Sequence, residues 1–269
     1  MKTSIVKKFS FLNEKIVFKY IDIKHDFPKH IHDDTFMIGI AIKGKTIFII
    51  ENEKYDVHED QICIIPPKLV HFCTPSKKDN SWKFLNFHIS KNFLQNIANN
   101  ICEDTVDFLF KNYFIKDSEL SLYLKNLIYN TLNTERINEE EILNFLTMLL
   151  ESHANFSKEI KEVKEERFKP LFDYLKKESY CLKSLDFYKM AEIMDMNPYY
   201  FHRTFSKTIG LTPQTFINSL RLSKATELLE DYDSLAQVAL QSGFYDQAYF
   251  TKQFKKQYGI TPKNFRKIS

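Results

Sequence analysis

Residues 197–216, NPYYFHRTFSKTIGLTPQTF, recur 49 positions later as residues 246–265, DQAYFTKQFKKQYGITPKNF, and this repeat constrains the fold more than any other feature of the chain. Eight of the 20 paired positions are identical: Tyr200/Tyr249, Phe201/Phe250, Phe205/Phe254, Lys207/Lys256, Gly210/Gly259, Thr212/Thr261, Pro213/Pro262 and Phe216/Phe265. Phe at i and i+4 marks the buried stripe of a helix, Gly a helix stop, and Thr-Pro a helix start. Two copies of one small helical unit suggest two equivalent readers of a periodic partner, for which duplex DNA is the natural candidate. A duplicated bundle for protein contacts is the competing reading. Paired caps, paired phenylalanines and paired Gly-x-Thr-Pro stops in register favour DNA.

The 269 residues are enough for two domains, and 43% hydrophobic content is enough for sizeable cores. The net charge of +3 is unevenly divided: from Arg167 onward 16 Lys and Arg face 10 Asp and Glu, a net +6, which leaves −3 for the rest. Only the repeat-bearing half is thus expected to meet phosphate. Cys63, Cys73, Cys102 and Cys181 are scattered without CxxC spacing, which argues against a structural zinc site and a disulfide scaffold. No apolar run approaches the roughly 18 residues of a membrane span, and MKTSIVKKFSF lacks the continuous apolar stretch of a secretory signal. A reduced, soluble, cytoplasmic protein is expected.

Along the chain, residues 16–90 read as β: IVFKYIDI, TFMIGIAI, TIFIIEN, QICIIPP and FLNFHIS are separated by turn-like KGK, ENEK and PSKKDN. Their spacing suggests a small barrel or sandwich. Residues 91–155 switch to helical period. Leu120, Leu124, Leu127 and Ile128 form one stripe, and Ile142, Phe145, Leu146 and Leu149 another, with Asn138 and Glu139–Glu141 as a start signal. This hairpin is expected either to cover the barrel or to form a dimer contact, the latter through Leu124 and Leu127. The charged stretch 156–167 reads as a linker, and residues 168–269 as helical throughout.

Each repeat supplies a helix-turn-helix. In the first, Ser184 is the expected cap of a supporting helix running to about Met194, and Asn197 caps a second helix with Pro198 at N1. That second helix buries Phe201, Phe205 and Ile209 and exposes Tyr199, His202, Arg203 and Ser206. In the second unit Asp246 is the cap, and Gln247, Ala248, Thr251, Lys252 and Lys255 are exposed. Residues 212–231 form a connecting helix of roughly 25–30 Å, which suits two readers about one turn of duplex apart.

These residues carry a resemblance. SLDFYKMAEIMDMNPYYFHRTFSKTIGLTPQTFINSLRLSKATELL with SLAQVALQSGFYDQAYFTKQFKKQYGITPKNFR is similar to the DNA-binding domain of the AraC/XylS family of bacterial transcription regulators, over about residues 168–267. The resemblance implies recognition helices in successive major grooves, with Tyr199, His202, Arg203 and Lys207, then Gln247, Ala248, Thr251 and Lys252, facing DNA. Two departures stand out: Lys252 where many members carry Arg, and Ala248 where others carry a polar residue. FPKHIHDDTFMIGIAIKGK and IIPPKLVHF resemble the cupin-like sensor domain of that family. This implies a small-molecule pocket involving His32, His71 and Trp82 and no cofactor or metal; any metal would take His30, His32 and His71. The carboxylate position of metal-binding cupins is here Phe36 or Met37.

The chain is therefore expected to be α+β: a cupin-like sensing and dimerisation domain at 1–155, a linker at 156–167 and a double helix-turn-helix domain at 168–269. The function implied is that of a non-enzymatic transcriptional regulator, an activator acting as a homodimer on double-stranded DNA in answer to a small-molecule effector, with RNA polymerase a further contact. The alternative is a metal-binding cupin, sensor or enzyme, fused to a DNA-binding domain.

Overall fold

The computed structural model describes residues 5–11, 14–23, 27–51, 53–75, 82–134, 136–157, 166–177 and 182–267. Residues 158–165 of the expected linker, most of the PSKKDN turn and Cys181 lie outside the described residues.

The N-terminal half is built on a six-stranded antiparallel sheet. Its strands are β1 (Ile5–Phe11), β2 (Glu14–Ile23), β8 (Trp82–Ser90), β3 (Thr35–Lys43), β6 (Ile62–Ile65) and β10 (Phe114–Ile115), in that spatial order. A three-stranded sheet of β5 (Glu53–Val57), β4 (Thr46–Ile50) and β7 (His71–Pro75) packs against it. Alternation along a strand sends neighbours to opposite faces. Ile16, Phe18, Ile38, Ile40, Ile62, Ile64, Leu85 and Phe87 thus form one face and pack on helices α1 (Lys91–Cys102), α2 (Ser118–Thr134) and α3 (Glu139–His153). The intervening residues Met37, Ala41, Cys63, Ile65 and Phe84 face the three-stranded sheet and enclose a second core with Phe48 and Ile50. With both faces buried, TFMIGIAI has no polar-apolar alternation to display.

The hairpin α2–α3 covers this sheet. Asn138 caps α3 by accepting from the Glu141 amide, as the sequence predicts. Leu124 and Leu127 are 0% and 2% exposed, so they belong to the domain's own core and are not free for a dimer contact. Residues that the helical reading of 91–155 passed over form two further strands, β9 (Asp107–Phe110) and β11 (Ala154–Ser157), which pair with each other. Phe156 and Ser157, assigned to the linker, therefore close the first domain.

The second half starts with a 3-10 turn at Glu166–Phe168 and α4 (Lys169–Lys177), then α5 (Phe187–Ile193) and α6 (Pro198–Ile209). The long α7 (Pro213–Asp231) leads to α8 (Leu235–Gln241), α9 (Gln247–Tyr258) and α10 (Pro262–Arg266). Asp186, not Ser184, caps α5, because its Oδ1 accepts the Lys189 amide at 2.8 Å. Asn197 and Asp246 cap α6 and α9 at equivalent positions, and Gly210 and Gly259 end them in the left-handed region at φ 79° and 77°. The repeat is literal in its cores. Phe205 meets Phe216 edge-on at 5.3 Å and 75°, and Phe254 meets Phe265 at 5.2 Å and 78°.

Both helix-turn-helix units lean on the sensor domain. Ile31 and Val70 enter the first unit's core, and Val17 packs on the second. Lys68 lies 5.3 Å from the Phe172 ring centre.

Candidate nucleic-acid interface and effector cavity

The caps orient α6 and α9 so that the phenylalanines point inward. The opposite stripe of α6 is left bare: Tyr199 is 88% exposed, and His202, Arg203 and Lys207 are exposed beside it. On α9, Gln247, Ala248 and Lys252 are exposed and Thr251 is half-buried. Ser206 departs from the expected stripe, since its hydroxyl is buried with no hydrogen-bond partner among the described residues. The identical Tyr200 and Tyr249 are anchors: the Tyr200 hydroxyl accepts from Arg167 at 2.8 Å, and the Tyr249 hydroxyl accepts from Asn218 Nδ2 at 2.9 Å. Tyr245, in the turn before the Asp246 cap, is 98% exposed and was not singled out by the helical stripe because it lies outside the helix.

Three ties fix the two units through α7. Arg221 donates to the carbonyls of Leu182 and Leu185 in the first unit. Asn218 reaches Tyr249 in the second, and Arg266 donates to the Leu229 and Tyr232 carbonyls at 2.9 and 2.7 Å.

The second site is a cavity of about 550 Å³, counting its solvent-open part, between the two sheets and the end of α9. His30 and His71 are directly opposed in an antiparallel bridge, with reciprocal amide-carbonyl bonds of 3.0 and 3.1 Å, which puts their side chains on one face. His32, two residues on, joins them. From the six-stranded sheet, the register places Lys19 opposite Asn86, and His88 two residues further along the same face. Lys19 Nζ is 3.0 Å from His88 Nε2. From the other domain Gln257 and Tyr258, the last two residues of α9, complete the wall.

Burial sets the electrostatics of this cavity. It lowers Lys19 to about 7 and His30 to about 4, and holds His32, His71 and His88 well below the usual imidazole value, with their mutual repulsion adding to it. Burial likewise raises the Tyr258 phenol. Among the described residues, two buried polar atoms of the wall have no hydrogen-bond partner: Trp82 Nε1, a donor, and Asn86 Oδ1, an acceptor.

The expected pocket residues His32, His71 and Trp82 thus share one cavity with His30. Lys19, Asn86 and His88 were missed, although a polar residue inside an apolar run such as FLNFHIS is a legible signal. Gln257 and Tyr258 had no signal, because only domain docking brings them there.

Residues 17–150 match the family described as AraC-like ligand binding domain, and residues 190–268 the family described as helix-turn-helix domain. The HTH-type transcriptional regulator YbfI of Bacillus subtilis (strain 168) is 25% identical over 239 residues, which span 86% of this chain and 84% of YbfI. The HTH-type transcriptional activator RhaS of Escherichia coli (strain SE11) is 24% identical over 250 residues, 90% of this chain and 88% of RhaS. The fold resembles unsaturated fatty acid-bound ToxT from Vibrio cholerae strain SCE256, with a TM-score of 0.61 over 97% of each chain at 16% identity. Among the described residues no helix is long and apolar enough to cross a membrane.

Proposed function

We propose a mode of action on the premise that this chain belongs to the AraC family of transcriptional regulators, with an N-terminal ligand-binding domain and a C-terminal helix-turn-helix DNA-binding domain. The α6 stripe of Tyr199, His202, Arg203 and Lys207 enters one major groove, and Gln247, Ala248, Thr251 and Lys252 on α9 enter the next. The observation that carries this reading is the pair of exposed, equivalently capped stripes on helices joined by the 19-residue α7, about 28 Å long. Arg203 reads base edges, and the lysines neutralise phosphates.

The first domain, closed by Phe156 and Ser157, senses and dimerises, and the helical half that starts at Glu166 binds DNA. The effector is a small molecule in the cavity with an apolar body, one group that accepts from Trp82 Nε1 and one that donates to Asn86 Oδ1, with His32 and His71 beside it. Because Tyr258 and Gln257 form part of the wall, occupancy bears directly on the second recognition helix. Activation is the reading supported by similarity to RhaS, an HTH-type transcriptional activator; a homodimer and a contact with RNA polymerase complete the proposal.

Selection of genomic fragments by the purified full chain, followed by shift assays on the winners, tests the DNA reading. Affinity should fall steeply with salt on the target and exceed that for random DNA. Equal affinity for both would overturn it. Trp82, the single tryptophan, reports cavity occupancy by its fluorescence.

A further inference from the structure

We propose that the Lys19 amine forms a reversible imine with an apolar aldehyde of medium chain length, which makes the effector of this cavity a covalently held carbonyl compound. This rests on the reading of the cavity as a ligand site.

Lys19 is buried in the cavity wall, and among the described residues that line this cavity none is acidic. A buried lysine without a carboxylate partner favours its neutral form, and burial accordingly lowers this amine to about 7. A neutral, desolvated lysine amine is a nucleophile towards a carbonyl carbon. His88 orients it, with Nε2 at 3.0 Å from Nζ. With its own proton on Nδ1, the His88 ring accepts one amine N–H and leaves the amine lone pair free for the carbonyl. Asn86, opposite Lys19 in register, carries a buried Oδ1 that has no partner among the described residues. That oxygen accepts from the hydroxyl of the carbinolamine that precedes an imine.

The step balances without a further reactant. The Nζ lone pair forms a bond to the carbonyl carbon, the carbonyl π pair moves onto oxygen, and one amine proton passes through His88 to that oxygen. The hydroxyl then leaves as water with the second amine proton, and the C=N bond forms. Nothing is oxidised or reduced, and hydrolysis reverses the bond, as a sensor requires. The cavity also sets the size of the aldehyde. Trp82 lines it four residues before Asn86 on β8, roughly 13 Å along an extended strand. Met37, Phe48 and Phe84 add apolar wall to the same space. An aldehyde bound at Lys19 also lies beside the Tyr258 ring, at the end of the second recognition helix.

The test incubates the full-length protein at neutral pH with octanal and sodium cyanoborohydride, which reduces an imine to a stable secondary amine. The expected mass gain is that of octanal less one oxygen, once per chain, with peptide mapping to Lys19. An ordinary exposed lysine is almost wholly protonated at neutral pH, so Lys19 should label at least about tenfold faster than Lys91, exposed at the start of α1. Lys19→Met, shown by circular dichroism to be folded, should lose the fast label; if that variant does not fold, the mapping in the parent decides. Labelling at Lys19 no faster than at Lys91, or a fast single label kept in folded Lys19→Met, overturns the imine. Octanoate, which forms no imine, is the control. A Trp82 fluorescence response to octanoate without trapping of octanal overturns the imine in favour of an ion pair and leaves the cavity reading intact. Shift assays on the same protein keep the two readings apart. Target-specific DNA binding without labelling at Lys19 removes the imine alone, and labelling at Lys19 without specific DNA binding removes the regulator reading alone.

Discussion

The Lys19 amine on β2 sits 5.2 Å from the centre of the Tyr258 ring on the last turn of α9, so a buried residue of the sensor sheet touches the second recognition helix directly. Lys19 is 7% exposed, and burial lowers its pKa from 10.5 to about 7. Between those values the unfolded chain holds a proton that the folded chain has released, so this group makes stability rise with pH across that window. Below about 7 both states are protonated and the cost of burying the charge is complete. Lys19→Met should abolish this slope, gaining on the parent as pH falls from 10.5 towards 7. Denaturant unfolding at pH 7 and pH 9.5 reads the difference; parallel profiles for the two proteins would mean the amine is hydrated.

Arg203 and Lys252 stand at equivalent exposed places on α6 and α9. The planar guanidinium suits the two acceptors of guanine, whereas the ammonium is a point charge. Arg203→Ala should cost about 1–3 kcal/mol on the target and relax preference at one base pair. Lys252→Ala should weaken all sequences alike and flatten the salt dependence by about one unit. Equal losses on target and random DNA for Arg203→Ala would remove its reading role.

Gly243 and Gly259 both have positive φ, 94° and 77°, but different surroundings. A Cβ at Gly243 would lie 2.7 Å from the Leu182 carbonyl and 2.9 Å from Arg221 Nε, whereas one at Gly259 meets nothing within 4 Å among the described residues. Gly259→Ala should cost only the backbone term, about 1–2 kcal/mol. Gly243→Ala should cost clearly more, since it also wedges the turn of the second unit away from the first. Thermal melts of the two variants compare them, and equal melting temperatures would refute the close approach.

The hairpin offers a different dimer test from the one its leucines suggest. Leu124→Glu with Leu127→Glu buries two carboxylates in the sensor core and should unfold it. On α2, Leu122 and Tyr129 are 60% and 42% exposed and seven residues apart, on one face. Leu122→Glu with Tyr129→Glu should give folded monomers if that face joins two copies. Sedimentation would show an unchanged dimer if the contact lies elsewhere.

The sequence by itself determined the two repeated helices and their ends, though not the Asp186 cap or the burial of Ser206. Helix caps, the i, i+4 phenylalanines and the left-handed Gly stops are local, and two copies in register check one another, so Asn197, Asp246, Gly210 and Gly259 could be placed without a structure. It also placed the β and helical regions of the sensor, and the three histidines that come together there. Short strands such as β9 and β11 escaped because each is held by its partner and not by its own pattern. Only tertiary structure decided which face of a doubly buried strand looks into the cavity, because register, not hydropathy, separates Lys19, Asn86 and His88 from Phe18, Leu85 and Phe87. It alone decided that Tyr258, in register with Ile209 of the first unit, ends against the sensor sheet. That contact joins residues 239 positions apart, and no local preference of either residue encodes it.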